Sequence, residues 1–325
     1  MKYKVLLPQD IASEGKDYLL KCGYEIKTGS GTSIDAIKHD VVECDAIIAR
    51  TALFTQEILK AGPKLKVISR YGVGVDNIDV VMAEKMGIWV TNTPNANANT
   101  VAEAVLGFII SLGRNFSQCQ QEFRSGNFEI RNKLQGMDLE GKVLGIIGLG
   151  KIGRLVAIKA RLGLNMKIIA YNPSLPNDRI LEKVEMVDSL DDIFIRSDFV
   201  SLHIPFKGKK LVGMKDFLLM KPTAYFINVA RGKIVFENEL IEALRSNIIA
   251  GAAVDVFEDE PPSKNNPLFT MDNVLVTPHN AALTKECIIR MAVQSAIAVE
   301  EVLSKKTPTF PVNKPVSPRI QNENS

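Results

Sequence analysis

Hydrophobic and polar positions fall into short apolar, β-branched runs separated by amphipathic stretches, the pattern of a parallel sheet covered by helices. In the first third the runs are K-V-L-L-P (4–8), Y-E-I-K-T (24–28), D-A-I-I-A-R (45–50), L-K-V-I-S-R (65–70) and I-W-V-T-N (88–92). Helical stretches fit between them around 11–22, 33–40, 55–61 and 79–86, five βα steps that predict a flavodoxin-like domain. A helix is predicted over 100–113, with a polar segment from there to Gly141. The alternation then resumes at 142–148, 167–172, 199–205, 224–230, 250–257 and 273–279, six parallel strands matching a doubly wound nucleotide-binding domain. A last helix near 284–304 leads into a proline-rich tail, expected to lie on the surface and to end disordered. The predicted fold class is therefore α/β, with two doubly wound parallel-sheet domains, one flavodoxin-like and one Rossmann-like.

Composition narrows the classes. A chain of 325 residues suits two cores of moderate size. A hydrophobic content of 46% with 24% charged residues is that of a soluble globular protein. The net charge of +3 comes from interspersed residues, so no basic patch points to nucleic acid. Apolar runs such as 102–110 are broken by charge or glycine and fall short of a membrane span. The opening M-K-Y-K-V-L-L-P-Q-D starts a strand and turns at once to acid, unlike a signal peptide. Cys22, Cys44, Cys119 and Cys287 lie far apart without a C-x-x-C, which predicts free thiols and a reduced cytoplasmic protein. No cluster has metal-ligand spacing, and there is no G-x-S-x-G.

One turn carries a specific signal. G-L-G-K-I-G places Gly148, Gly150 and Gly153 in the G-x-G-x-x-G spacing, directly after an apolar strand and opening an amphipathic helix. The first glycine permits the tight turn, the second lets a pyrophosphate approach the backbone, and the third lets helix and strand pack closely. The N–H groups at the helix start then face the phosphates. A tight turn without ligand is the bland alternative.

Three charged residues recur where strands of the second domain end: Arg231 after I-N-V-A, Glu260 after V-D-V-F-E-D, and His279 after V-L-V-T-P. Carboxyl ends of an open α/β sheet face the ligand, so the three are expected to converge. A guanidinium holds a carboxylate or polarises a carbonyl, and a histidine oriented by a carboxylate exchanges protons near neutral pH. Read alone, Glu260 is equally a solvated charge in an acidic loop, and His279 a structural histidine beside proline. His39 reads as exposed, and His203 as lining a cofactor cleft.

Together G-L-G-K-I-G, D-F-V-S-L-H-I-P-F, N-V-A-R-G-K-I-V, G-A-A-V-D-V-F-E-D-E-P-P and V-T-P-H-N-A-A follow the order of a known family, and R-Y-G-V-G-V-D-N-I-D and N-T-P-N-A-N-A-N-T-V-A-E add to it. The chain resembles the D-isomer-specific 2-hydroxyacid dehydrogenases over nearly its whole length, in the phosphoglycerate dehydrogenase and hydroxypyruvate or glyoxylate reductase branch. The resemblance implies a discontinuous substrate-binding domain (1–97 and 289–325) and an NAD(P)-binding Rossmann domain (98–288). It implies closure about a hinge near 95–100 and 285–290, and a core without an appended regulatory domain. The activity implied is hydride transfer between NAD or NADP and a small 2-oxo or 2-hydroxy acid. Arg231 matches the arginine that binds substrate carboxylate and carbonyl, Glu260 the carboxylate paired with the histidine, and His279 the acid/base. Val73 and Gly74 match the loop holding the substrate carboxylate, and Asn97 a position near substrate and nicotinamide. Asp255 matches the acid that holds the nicotinamide carboxamide. Gly148, Gly150, Lys151, Ile152 and Gly153 belong to the pyrophosphate turn, while His203, Pro205 and Ala230 line the cofactor. Relatives dimerise through the nucleotide-binding domain, and the helix at 100–113 suits either such an interface or the core.

The chain departs from the pattern in K-I-I-A-Y-N-P-S, where Asn172 and Pro173 stand at the place of the acid that selects NAD. Asn172 keeps a hydrogen bond to the ribose but not the repulsion of a 2′-phosphate, so relaxed specificity is expected. Ser174 and Arg179 are the nearby groups for a phosphate; alternatively Asn172 only caps the turn. Lys210 replaces a small hydroxyl residue. Arg50 and Arg70 are candidates for an extra anionic group on the substrate, or for structural ion pairs. A formate dehydrogenase would pair its histidine with glutamine, against Glu260, and a phosphonate-oxidising relative would keep the same triad. The alternative from another class is a dinucleotide-sensing corepressor-like binding protein.

Overall fold

The computed structural model describes residues 2–174 and 181–320, which divide into two units, Met1–Asn97 with Leu283–Ser325 and Ala98–Ala282. The return to the first unit falls at Leu283, six residues before the expected position. The reason is the helix Lys285–Leu303, which lies wholly in that unit and packs on the helix Ser13–Lys21. Their approach is close enough that a Cβ at Gly15 would sit 2.9 Å from Ala292.

The first unit is built on β1 (Lys4–Leu7), β2 (Glu25–Thr28), β3 (Ala46–Ala49), β4 (Val67–Arg70) and β5 (Trp89–Thr91), all parallel in the order β2-β1-β3-β4-β5. That is the flavodoxin-like order. Central β3 reads A-I-I-A with every residue buried, as expected of a strand covered on both faces. Helix starts are set by local caps: Ser33 Oγ accepts the Ala36 N–H at 3.2 Å, Asp79 Oδ1 the Met82 N–H at 3.0 Å, and Thr284 Oγ1 the Cys287 N–H at 3.2 Å.

The proline-rich tail, expected on the surface, is also fastened to the sheet of the first unit. Pro311 bridges Thr91 antiparallel to β5, and buried Asn313 donates to Ile88 O at 2.9 Å and accepts the Val90 N–H at 2.8 Å. Arg319 binds the carbonyls of Gly62 at 2.7 Å, Leu65 at 3.0 Å and Met86 at 2.9 Å. The tail thus covers the β5 edge, whose backbone groups would otherwise lack partners. The expected disordered end lies outside the described residues.

The second unit contains β6 (Val143–Ile147), β7 (Lys167–Tyr171), β8 (Val184–Met186), β9 (Phe199–Leu202), β10 (Tyr225–Asn228), β11 (Gly251–Val254) and β12 (Val274–Val276). Its order is β12-β11-β10-β9-β6-β7-β8, again all parallel. Six strands were expected; the seventh, β8, is a three-residue edge strand, too short to show an alternation. The helix Ala98–Gly113 buries Ala102, Val105, Ile109 and Leu112 in the core against the helix Lys151–Leu164. The polar segment after it carries the helices Phe116–Arg124 and Ile130–Lys133.

Candidate active site

Because the seven strands are parallel, every loop after a strand leaves from one end of the sheet. In the second unit that end receives the glycine turn after β6, Asn172 after β7, His203 after β9, Arg231 after β10, Asp255 after β11 and His279 after β12.

Each glycine of the turn meets a different constraint. Gly148 has φ +99°, and its N–H donates to Tyr171 O at 2.9 Å while a Cβ would lie 2.6 Å from His203 O. At Gly153 a Cβ would lie 2.2 Å from Gly148 O. Gly150 instead faces open space, with nothing within 4 Å of a built Cβ, at the start of the 14-residue helix Lys151–Leu164. An open backbone at a helix N-terminus fits a dinucleotide pyrophosphate. Lys151 is exposed and Ile152 half-buried beside it. Asn172 is half-buried, and its Oδ1 accepts the Ser174 hydroxyl at 3.1 Å. Pro173 and Pro205 are exposed and Ala230 is buried. Arg179 lies outside the described residues.

His203 pairs through Nε2 with the buried Ser201 hydroxyl at 2.9 Å, and its Nδ1 is buried without a hydrogen-bond partner. Part of the residue reaches the surface, but burial of the ring pushes its pKa down to about 3. The ring is a neutral group at the carboxyl end of β9.

The structure brings Arg231, Glu260 and His279 together. Glu260 Oε2 meets His279 Nδ1 at 2.7 Å, and Glu260 Oε1 accepts the Phe257 N–H at 3.1 Å. Burial pushes the Glu260 carboxyl up, but the hydrogen bond and charge of His279, the Phe257 N–H and the charge of Arg231 outweigh it. The carboxyl is held below the usual carboxylate range. The His279 side chain is 52% exposed, and with Nδ1 committed to Glu260 its Nε2 is the nitrogen left to exchange a proton. Arg231 is oriented by its own turn: Nη1 donates to Ala230 O at 2.6 Å, and Asn228 donates to Arg231 O and accepts from the Ala230 N–H, both at 3.0 Å.

Asp255, 1% exposed, has a role that the sequence did not disclose. Its Oδ1 accepts the Thr277 hydroxyl at 2.6 Å and the Asn280 N–H at 2.9 Å, and its Oδ2 the Ala281 N–H at 3.1 Å. These bonds, with the His279 N–H on Asp255 O at 2.8 Å, hold His279 at φ 51°, a left-handed conformation uncommon outside glycine. Lys210 turns to Glu258 and lies over the Phe236 ring at 5.0 Å.

In the first unit Val73 and Gly74 lie in a loop whose carbonyls are tied back. Asn92 donates to Val73 O at 2.9 Å, and Arg70 donates to Gly74 O at 2.7 Å and Tyr71 O at 2.6 Å. Arg70 therefore braces that loop. Arg50 donates to Asp10 O at 2.5 Å and stacks over Tyr71 at 5.3 Å. The Asn97 side-chain Oδ1 is buried without a hydrogen-bond partner.

Residues 106–281 match the model of the D-isomer specific 2-hydroxyacid dehydrogenase NAD-binding domain. The chain is 36% identical to a D-3-phosphoglycerate dehydrogenase of Methanocaldococcus jannaschii over 97% of its own length and 60% of that protein's. It thus spans only 52–60% of the first curated phosphoglycerate dehydrogenases it matches. It is also 36% identical to a hydroxypyruvate reductase of Thermotoga maritima, over 90% of this chain and 96% of the relative. Among solved structures, an NADPH-dependent glyoxylate/hydroxypyruvate reductase of Sinorhizobium meliloti, in complex with NADP and malonate, superposes with a TM-score of 0.86. It is 25% identical, covering 98% of this chain and 99% of that one. The family model covers over half of the sequence and coincides with the sheet whose strand ends carry these groups, and the chain belongs to the D-isomer specific 2-hydroxyacid dehydrogenase family.

Proposed function

We propose that the chain is an NAD(P)-dependent D-2-hydroxyacid dehydrogenase working as a 2-oxo acid reductase on a small substrate such as hydroxypyruvate, glyoxylate or 3-phosphohydroxypyruvate. The observation that carries this reading is the 2.7 Å pair of His279 with Glu260, within the field of Arg231, on the sheet that bears the open glycine turn. A bound nicotinamide dinucleotide supplies the hydride. His279 delivers the proton from Nε2 to the carbonyl oxygen, and Glu260 holds the ring by Nδ1 and balances its charge. Arg231 orients the substrate and, with His279, stabilises the oxygen as it gains charge.

The Val73–Gly74 N–H groups are assigned to the substrate carboxylate, a role supported by carbonyls already engaged elsewhere. Asn97 is assigned to substrate and nicotinamide, and Asp255 to the nicotinamide carboxamide in addition to its hold on the His279 turn. Arg50 is the better candidate for an extra anionic group, since it engages one backbone carbonyl where Arg70 engages three. Lys151, Ile152, Pro173, His203, Pro205 and Ala230 are assigned to the cofactor.

Asn172 presents an amide donor where a carboxylate would repel a 2′-phosphate, so the reading includes NADP beside NAD. A panel of 2-oxo acids assayed with NADH and NADPH tests both parts. Turnover is expected with each cofactor; an NADH preference above about a hundredfold in kcat/KM overturns relaxed specificity. Dinucleotide binding without turnover of any 2-oxo acid favours the sensor-like reading.

The reading extends to a cytoplasmic homodimer. Phe116, Phe123 and Phe128, after the helix Ala98–Gly113, are exposed, with the Phe123 and Phe128 rings 6.0 Å apart, and they offer apolar side chains to a second copy; the four cysteines are unpaired. Sedimentation equilibrium giving the mass of one chain defeats the dimer.

A further inference from the structure

The segment that bears Glu260 is fastened at both ends by one carboxylate to which neither the glycine turn nor the Arg231–Glu260–His279 group gives a role. Glu237, the first residue of the helix Glu237–Arg245, accepts the Glu258 N–H on Oε2 at 2.8 Å and the Asn266 side-chain amide on Oε1 at 2.8 Å. These partners bracket residues 258–266. The far end is rigid in its own right, because Asn266 is 8% exposed, donates its N–H to Ser263 O at 3.0 Å and accepts the Leu268 N–H at 3.0 Å. At the near end, the Glu258 side chain pairs with Lys210. The Phe257–Glu258 peptide lies flush on Gly232, where a Cβ would fall 1.9 Å from the Phe257 carbonyl group and 2.5 Å from Glu258 N. One peptide unit is thus the meeting point of the Arg231 turn and the Glu260 segment, and Glu237 holds it by its N–H.

We infer that Glu237 is a positioning residue for the proposed reduction: it fixes the Phe257–Glu260 backbone against the Arg231–Gly232 turn and so sets the reach of Glu260 to His279. The inference rests on the reductase reading, and Glu237 itself contacts neither substrate nor cofactor in it. Hydrogen bonds from N–H groups to a carboxylate are roughly twice as strong as neutral ones, so two on one side chain make a stiff tie. Stiffness matters here because a misplacement of about 1 Å can cost about a hundredfold in rate. The charged groups facing Glu260 are His279 and Arg231 from neighbouring turns, with the Phe257 N–H and the Lys210–Glu258 pair on or beside its own segment.

Glu237→Gln and Asn266→Asp test the inference. Glutamine keeps one acceptor and sets an N–H against the second donor. Aspartate at 266 keeps the bond from Leu268 but sets an oxygen against Glu237. In either variant kcat for a 2-oxo acid is expected to fall about tenfold with the dinucleotide KM unchanged. The acid limb of the pH profile should move to higher pH, since Glu260 loses partners that hold its carboxyl low. A merely structural tie lowers the melting temperature and leaves that limb where it was, which overturns the inference; if Glu237→Gln does not fold, Asn266→Asp carries the test. Hydrogen exchange of amides 257–260, read without substrate, should quicken in both variants. Unchanged exchange defeats the role of Glu237, whereas a parent enzyme that reduces no 2-oxo acid defeats the reductase reading.

Discussion

Gly232 has no room for a methyl group. A Cβ there would overlap the Phe257 carbonyl group at 1.9 Å, so Gly232→Ala must push the Glu260 segment away from the Arg231 turn. Reduction is expected to fall at least about a hundredfold while dinucleotide binding, read by fluorescence titration, stays near that of the parent. Parent-like turnover would show that the segment can shift without moving Glu260. The motif N-V-A-R-G-K made Arg231 conspicuous in the sequence, yet nothing in its spacing told that the next residue meets Phe257, 25 positions on. Glu237 was hidden for the same reason, since its partners Glu258 and Asn266 are 21 and 29 residues away. Asp255 stands out in V-D-V-F as a candidate for the cofactor. That its carboxylate also anchors Thr277, Asn280 and Ala281 is a matter of how β11 and β12 lie side by side.

Among elements, legibility followed length and burial. β3 and β6, covered on both faces, read as apolar runs, and the glycine turn between β6 and its helix was plain because strand, turn and helix are contiguous. β8 was missed because three residues at a sheet edge, pairing only with β7, carry no period. The pairing of the proline-rich tail with β5 left no mark in the sequence because its partners are remote: Asn313 bonds to Ile88 and Val90, 225 and 223 residues earlier. Prolines there mark a segment that cannot join a helix, and they say nothing of whether it caps a sheet.

For the molecule as a whole, the buried ring nitrogen of His203 predicts a dependence of stability on pH. Its folded-state pKa of about 3 lies below the ordinary value of 6.5, so below pH 6.5 the unfolded chain binds a proton that the folded chain refuses. Stability present above that value is therefore lost as pH falls from about 6.5 toward 3, at up to about 1.4 kcal/mol per pH unit. In His203→Gln the urea midpoint should fall less steeply from pH 7 to 4.5 than in the parent. Equal slopes would place a proton on His203 in the folded state.

The sequence by itself determined the α/β class, the first unit's five parallel strands and the glycine turn, and it marked Arg231, Glu260 and His279 as charged groups at strand ends, because periodicity and contiguous motifs are local properties of a chain. Only the tertiary structure decided that Glu260 meets His279 at 2.7 Å, and that Glu237 and Asp255 fasten the turns carrying these groups. Those facts rest on hydrogen bonds between residues far apart in sequence. Such bonds form only once the parallel strands have brought their carboxyl ends to one side of the sheet.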